Sequence, residues 1–155
     1  PTGQQANRRT IRSMADTGLV RKRVRAAIEQ ARRDASERRA RVAEARKNYE
    51  TFLETAAIPV FRMFANILKS EGLHFEVMTP ADGVRLQSER NRDDAIEMEL
   101  DTSADPPQPL VTITRTRGSR IVQHDRSIKG SNPLVQLTEE DVIEMLLDEL
   151  RPWLS

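Results

Sequence analysis

LVRKRVRAAIEQARRDASERRARVAEARKNYETFLETAA, residues 19–57, is the stretch that decides the fold. It lies between Gly18 and Pro59 with no glycine or proline inside, and Ala, Arg, Glu, Lys and Gln dominate it. These residues lose little rotamer freedom in a helix. At about 1.5 Å per residue, roughly forty residues make a rod of ~58 Å. A compact chain of 155 residues has a radius of gyration of only ~15 Å. The rod is therefore expected to outrun any body the remaining residues can build.

Along it, Val24, Ile28, Ala31, Ala35, Val42, Ala45, Tyr49, Phe52 and Ala56 recur at alternating steps of three and four, with Arg38 in the one core-like position that breaks the series. This is the narrow seam of a coiled coil. Because alanine dominates, a partner helix can approach closely but buries little area per turn. Towards Tyr49 and Phe52 the seam becomes bulky, as expected where a helix joins a packed core. Arg25, Arg32, Arg39 and Arg46 repeat every seven residues in a row beside the seam, placed to meet acidic residues of a partner strand. Glu29 to Arg33, Asp34 to Arg38 and Glu37 to Arg41 are acidic-then-basic pairs four apart, each worth ~0.3 kcal/mol to an isolated helix.

Charge divides the chain. Residues 1–47 hold 14 Lys/Arg and 5 Asp/Glu, a net +9, whereas residues 48–155 hold 11 and 19, a net −8. A basic segment on an acidic body calls for an acidic partner or for attraction between the halves. Aromatic residues divide the other way: Tyr49, Phe52, Phe61, Phe64 and Phe75 fall in the middle and Trp153 near the end, so the core is expected downstream of residue 48. Without cysteine there is no disulfide, thiolate metal site or cysteine nucleophile. No apolar run approaches the ~20 residues of a membrane span, and the first ten residues lack the apolar centre of a signal peptide. The expected setting is soluble and cytoplasmic.

Three parts follow: a flexible basic tail over 1–18, the long basic helix over 19–58, and an α+β globular domain over 59–155. Asp16 or Thr17 is placed to cap the helix, with Gly18 in the turn leading into it. Pro59, which lacks an amide donor, should end or kink the helix near Ala57. Val60, Phe61, Met63, Phe64, Ile67 and Leu68 then cover a broad apolar arc that stops at Gly72. Beyond His74 the period changes to two. Phe75 with Val77, Val84 with Leu86, Ile96 with Met98 and Leu100, Val111 with Ile113, and Ile121 to Asp125 mark five strands. The turn at Thr79–Gly83, the proline-rich loop Asp105–Pro109 and the Gly118-Ser119 hairpin separate them. Short connections imply an antiparallel meander. After a loop at Gly130–Pro133, Thr138 with Asp141 reads as a capping pair for a last helix, whose stripe Val142, Ile143, Leu146, Leu147, Leu150 and Leu154 should cover one sheet face.

Catalytic signals are sparse. His124 and Asp125 are strand neighbours and point to opposite faces, so they cannot act as a pair. Glu97, Glu99 and Asp101 line one strand face at ~6.8 Å intervals, and a solvated face with Arg85 or Arg115 as cross-strand partner accounts for them better than acid/base chemistry or a metal. The glycines are dispersed among turns and form no phosphate-binding pattern. No cofactor or metal is implied. The sequence reads as a non-catalytic protein-protein interaction or oligomerisation module, using Val24, Ile28, Ala31, Ala35, Val42, Ala45, Tyr49 and Phe52 as its seam. Its partner is a second copy or another helix. The alternative is sequence-independent nucleic-acid binding through the basic segment, against which stands its lack of aromatic residues for base stacking.

Overall fold

The computed structural model describes residues 16–130 and 133–155. Most of the expected tail, and the middle of the loop expected at Gly130–Pro133, lie outside the described residues. The chain divides into two compact units, Pro1–Ala40 and Arg41–Ser155. The first is helix throughout its described part, which belongs to α1 (Thr2–Phe52). Asp16, Thr17 and Gly18 are inside that helix and form no cap or turn. A single glycine costs an interior helix only about 1 kcal/mol, which the long flanking run of strong helix formers outweighs.

The second unit starts with the last turns of α1 and continues through a π-helical turn at Leu53–Ala57 into α2 (Ile58–Ser70). Pro59 does not end the helix. The wider turn, in which the Ile58 N–H reaches the Leu53 carbonyl, comes just ahead of the proline, and the first turn of a new helical register tolerates a residue without an N–H. One consequence is a continuous helical run, Asp16–Ser70, which contains one 18-residue window of mean hydropathy 1.2, long and apolar enough to cross a membrane by length and composition only, and 39% of that window is buried in the fold. Its most apolar residues, among them Val60, Phe61 and Leu68, are committed to the core. Gly72, at φ +83°, closes α2: its N–H reaches Lys69 and that of Leu73 reaches Leu68, satisfying end carbonyls.

Five strands follow in meander order: β1 (Phe75–Met78), β2 (Gly83–Ser88), β3 (Ala95–Asp101), β4 (Gln108–Arg117) and β5 (Arg120–Arg126), each antiparallel to the next. Pro109 sits inside β4 opposite Leu100, although a proline-rich loop was expected there. The β5 ladder begins only at Val111, so a missing N–H on that side of Pro109 costs no bond. Gly118, at φ +65°, makes the two-residue turn with Ser119. Phe75, Val84, Leu86, Ile96, Met98, Val111 and Ile113 are buried together with Val60, Phe61, Ala65 and Leu68 of α2 and Val142, Met145, Leu146 and Leu150 of α3 (Glu139–Leu154). The expected stripes were too wide. Met63 and Ile67 of α2 and Leu147 and Leu154 of α3 are exposed, while Met145 takes a core place in their stead.

α3 is started by a reciprocal cap. Thr138 Oγ1 accepts the Asp141 N–H at 3.3 Å, and Asp141 Oδ2 accepts the Thr138 N–H at 2.9 Å. Lys129 Nζ lies 3.2 Å from the other Asp141 oxygen. Burial pushes the pKa of this carboxyl up, but the Thr138 N–H and the Lys129 ammonium pull it down further, and the net direction is downward. A folded-state pKa below the unfolded one means stability that is present above the ordinary carboxylate range and lost as pH falls through the folded value. In urea melts from neutral pH downward, Asp141→Asn is expected to flatten the acid limb of the stability profile. At neutral pH the variant loses about 1 kcal/mol, the usual worth of a cap.

Candidate functional site

The seam residues divide between two environments. Val24, Ile28, Ala31 and Ala35, in the first unit, are exposed, as is every described residue of that unit. Val24 retains 51% and Ile28 45% of its free surface, and Leu19 and Val20 are exposed as well. Val20, seven residues before Ala27, lies on the flank of the stripe, because the core position one step before Val24 is the charged Arg21. Val42 and Ala45 are half-buried in the second unit, and Tyr49 and Phe52 belong to its core. The surface open to a partner is therefore shorter than the periodicity implied, running from Val24 to Ala35.

The arginine row divides at the same place. Arg46 Nη1 lies 3.7 Å from Asp82 in the β1–β2 turn, and Arg41 Nη2 lies 3.4 Å from Asp105. Asp82 holds its carboxylate there from a left-handed backbone position, φ 61°, one that Asp tolerates better than most residues. Arg25, Arg32 and Arg39 are exposed, with no ion pair to another described residue. The expected helix pairs are partly replaced: Arg33 donates to Gln30, Gln30 donates to Asp34 at 2.9 Å, and Arg41 turns to Asp105 in place of Glu37. A neutral glutamine reaching both neighbours satisfies the same groups without fixing two long charged side chains.

Tyr49 shows what the seam does once it meets a core. Its side chain is 2% exposed and its hydroxyl has no hydrogen-bond partner among the described residues. Burial, with the carboxylates of Glu99, Asp82 and Glu97 around it, pushes its pKa well above the usual phenol range, so the group stays neutral. A buried donor without an acceptor is a net cost. Tyr49→Phe is expected to raise the urea midpoint of the second unit, by about 1 kcal/mol in unfolding free energy, with an unchanged m-value.

On the acidic strand face, Glu97 and Asp101 are engaged and Glu99 is exposed. Glu97 Oε2 is 3.0 Å from Arg85 Nη1, across the β2–β3 register. Arg85 also donates to Gln87 Oε1 and to the Arg92 carbonyl, and Gln87, only 6% exposed, donates to Glu76. The network holds Arg85, Gln87, Glu76 and Glu97 to one another. Asp101 turns to the Ser103 hydroxyl and N–H, which lower its pKa. His124 Nε2 contacts Glu149 at 3.0 Å, and the same glutamate takes Arg126, tying β5 to α3. Among the described residues no group of three or more His, Cys, Asp or Glu could hold a metal. An open cleft of about 420 Å³ lies between Asp94, Arg115, Thr116, Arg117, Pro152 and Trp153. Its one carboxylate, Asp94, already accepts the Thr116 N–H at 2.8 Å.

No family model matches this sequence, and no curated protein or solved structure does either.

Proposed function

We propose that the chain is a non-catalytic, cytoplasmic interaction module that pairs the helix of its first unit with another helix through Val24, Ile28, Ala31 and Ala35, with Val20 on the adjoining flank. The observation that supports this most is the exposure of that stripe: Val24 and Ile28, with Val20 beside them, each keep about half of their surface in water, in an order that repeats on one helix face. Covering them gives roughly 25 cal/mol per Å² of apolar area, whereas an isolated helix gains nothing from displaying them. The charged network on the outer sheet face speaks against an enzyme site there, because Glu97, Glu76 and Asp101 are already engaged and leave Glu99 as the one exposed carboxylate of the strand without a partner among the described residues.

Sedimentation equilibrium tests the reading, with the full chain run alone across a wide concentration range and then with synthetic leucine-seam heptad peptides. Association is expected with at least one of these helices, and Val24→Glu with Ile28→Glu should weaken it about a hundredfold, the cost of two buried unpaired charges at roughly 1–2 kcal/mol each. The melting curve of the second unit should not move. A chain that stays monomeric and binds no helix overturns the reading.

Nucleic-acid binding by the same helix is the second reading, and it rests on the exposed Arg21, Arg23, Arg25, Arg32 and Arg39. It is weaker because Arg41 and Arg46 are held by Asp105 and Asp82 and no aromatic side chain lies nearby for stacking.

A further inference from the structure

The order of charges beside the seam specifies what kind of helix fits it. With Val24 and Ala31 in one core position of the heptad and Ile28 and Ala35 in the other, Arg25, Arg32 and Arg39 all fall on one flank. The opposite flank carries Val20, Ala27 and Asp34. In an antiparallel pair like flanks face one another, so a second copy would set arginine against arginine along the whole row. In a parallel pair each flank residue meets the opposite flank five positions on. A second copy would then give only Asp34 against Arg39, while Arg25 and Arg32 would face Val20 and Ala27. Arg38, in the core position itself, would meet its own counterpart. Residues 16–40 hold eight Lys/Arg against four Asp/Glu, a net +4, and a self-pair doubles that charge along one axis. Neither orientation suits a second copy.

The acidic helix of another copy, α3, offers no free seam: Val142, Met145, Leu146 and Leu150 are buried in its own core, which leaves Leu147 and Leu154 as the large apolar residues exposed beside Glu139, Glu140 and Glu144.

Resting on the interaction reading above, we propose that the helix of the first unit docks an acidic amphipathic helix from a different protein. That helix presents Asp or Glu every seven residues opposite Arg25, Arg32 and Arg39, and large aliphatic side chains opposite Ala31 and Ala35. The alanines leave room for bulky knobs, so the partner supplies most of the buried area while this chain supplies the charge that sets register. Exposed guanidinium groups without acidic partners among the described residues can take such carboxylates without first breaking an ion pair there.

Two heptad peptides with the same leucine seam, one flanked by Glu and one by Lys, are titrated against the full chain by fluorescence anisotropy at low and high salt. The Glu peptide should bind at least about tenfold more tightly, and the advantage should shrink as salt screens it. Reversing the row, Arg25→Glu with Arg32→Glu and Arg39→Glu, should invert the preference, with helix content by circular dichroism unchanged. Equal affinity for both peptides overturns the acidic assignment. So does a triple variant that still prefers the Glu peptide, or self-association tighter than peptide binding. If the Val24→Glu and Ile28→Glu chain loses both peptides in those cases, the seam reading survives without the charge assignment. If neither peptide binds the unaltered chain, both fall together.

Discussion

Phe61→Ala is expected to remove about 3–5 kcal/mol from the unfolding free energy of the second unit, while Val24→Ala changes it by less than about 0.5 kcal/mol. The two residues look alike in the sequence, each an apolar member of a helical stripe, but their environments differ. Phe61 is 0% exposed and packs among the residues of α2, α3 and the sheet, so its truncation loses transfer free energy and leaves a cavity that the ladder strands on one side and α3 on the other cannot collapse into. Val24 is half in water and has no cavity to leave. Urea melts followed by circular dichroism would read both. A typical domain is stable by only about 5–15 kcal/mol, so Phe61→Ala should bring the second unit close to its threshold. Equal losses at the two sites would mean that Val24 is covered within a single chain, and the case for an external helix would go with it.

That contrast also marks where the sequence was informative. Strand alternation at Ile96, Met98 and Leu100 and at Val111 and Ile113, the Gly118 turn, the Gly72 stop and the Thr138 cap with Asp141 are local signals, and each element formed where its own residues required it. What the sequence did not disclose depends on contacts far along the chain. Heptad spacing continues unchanged from Val24 to Phe52, and only the sheet and α3, many residues downstream, determine that Tyr49 and Phe52 are core while Ile28 is not. The same holds for Arg46, which reads as one member of a free row until the β1–β2 turn brings Asp82 to it. Pro59 acts on the helix in a way its own rule does not specify: the regular α register stops at Phe52 and a π turn at Leu53–Ala57 changes it just before the ring is met, so the helical run goes on. Met145 lies outside the stripe of branched aliphatic residues but inside the core, where a flexible thioether fills irregular space well.

Gly83→Ala is the second substitution from which a large loss is expected, about 1–3 kcal/mol. Glycine is usually kept for a backbone angle other residues avoid, and Gly118, at φ +65° with nothing within 4 Å of an added Cβ, is such a position. Gly83 has no such angle. Its constraint is space, because a Cβ there would stand 2.7 Å from the Met98 carbonyl oxygen. That oxygen belongs to β3, which is held on one side by β2 and on the other by β4, so it cannot retreat as the end of a flexible side chain would. The first residue of β2 must move instead, taking with it the turn that carries Asp82 and the ion pair to Arg46. Gly118→Ala should cost about 1 kcal/mol through backbone conformation alone and leave the ladder intact. Hydrogen exchange separates the two mechanisms: Gly83→Ala should raise exchange in the β1–β2 hairpin and at Val84 before the rest of the sheet, whereas Gly118→Ala should raise it only at the β4–β5 tip. A Gly83→Ala chain with unchanged melting and unchanged hairpin protection would show that β2 and β3 pair less closely at that end, and that Asp82 is not fixed where Arg46 can reach it.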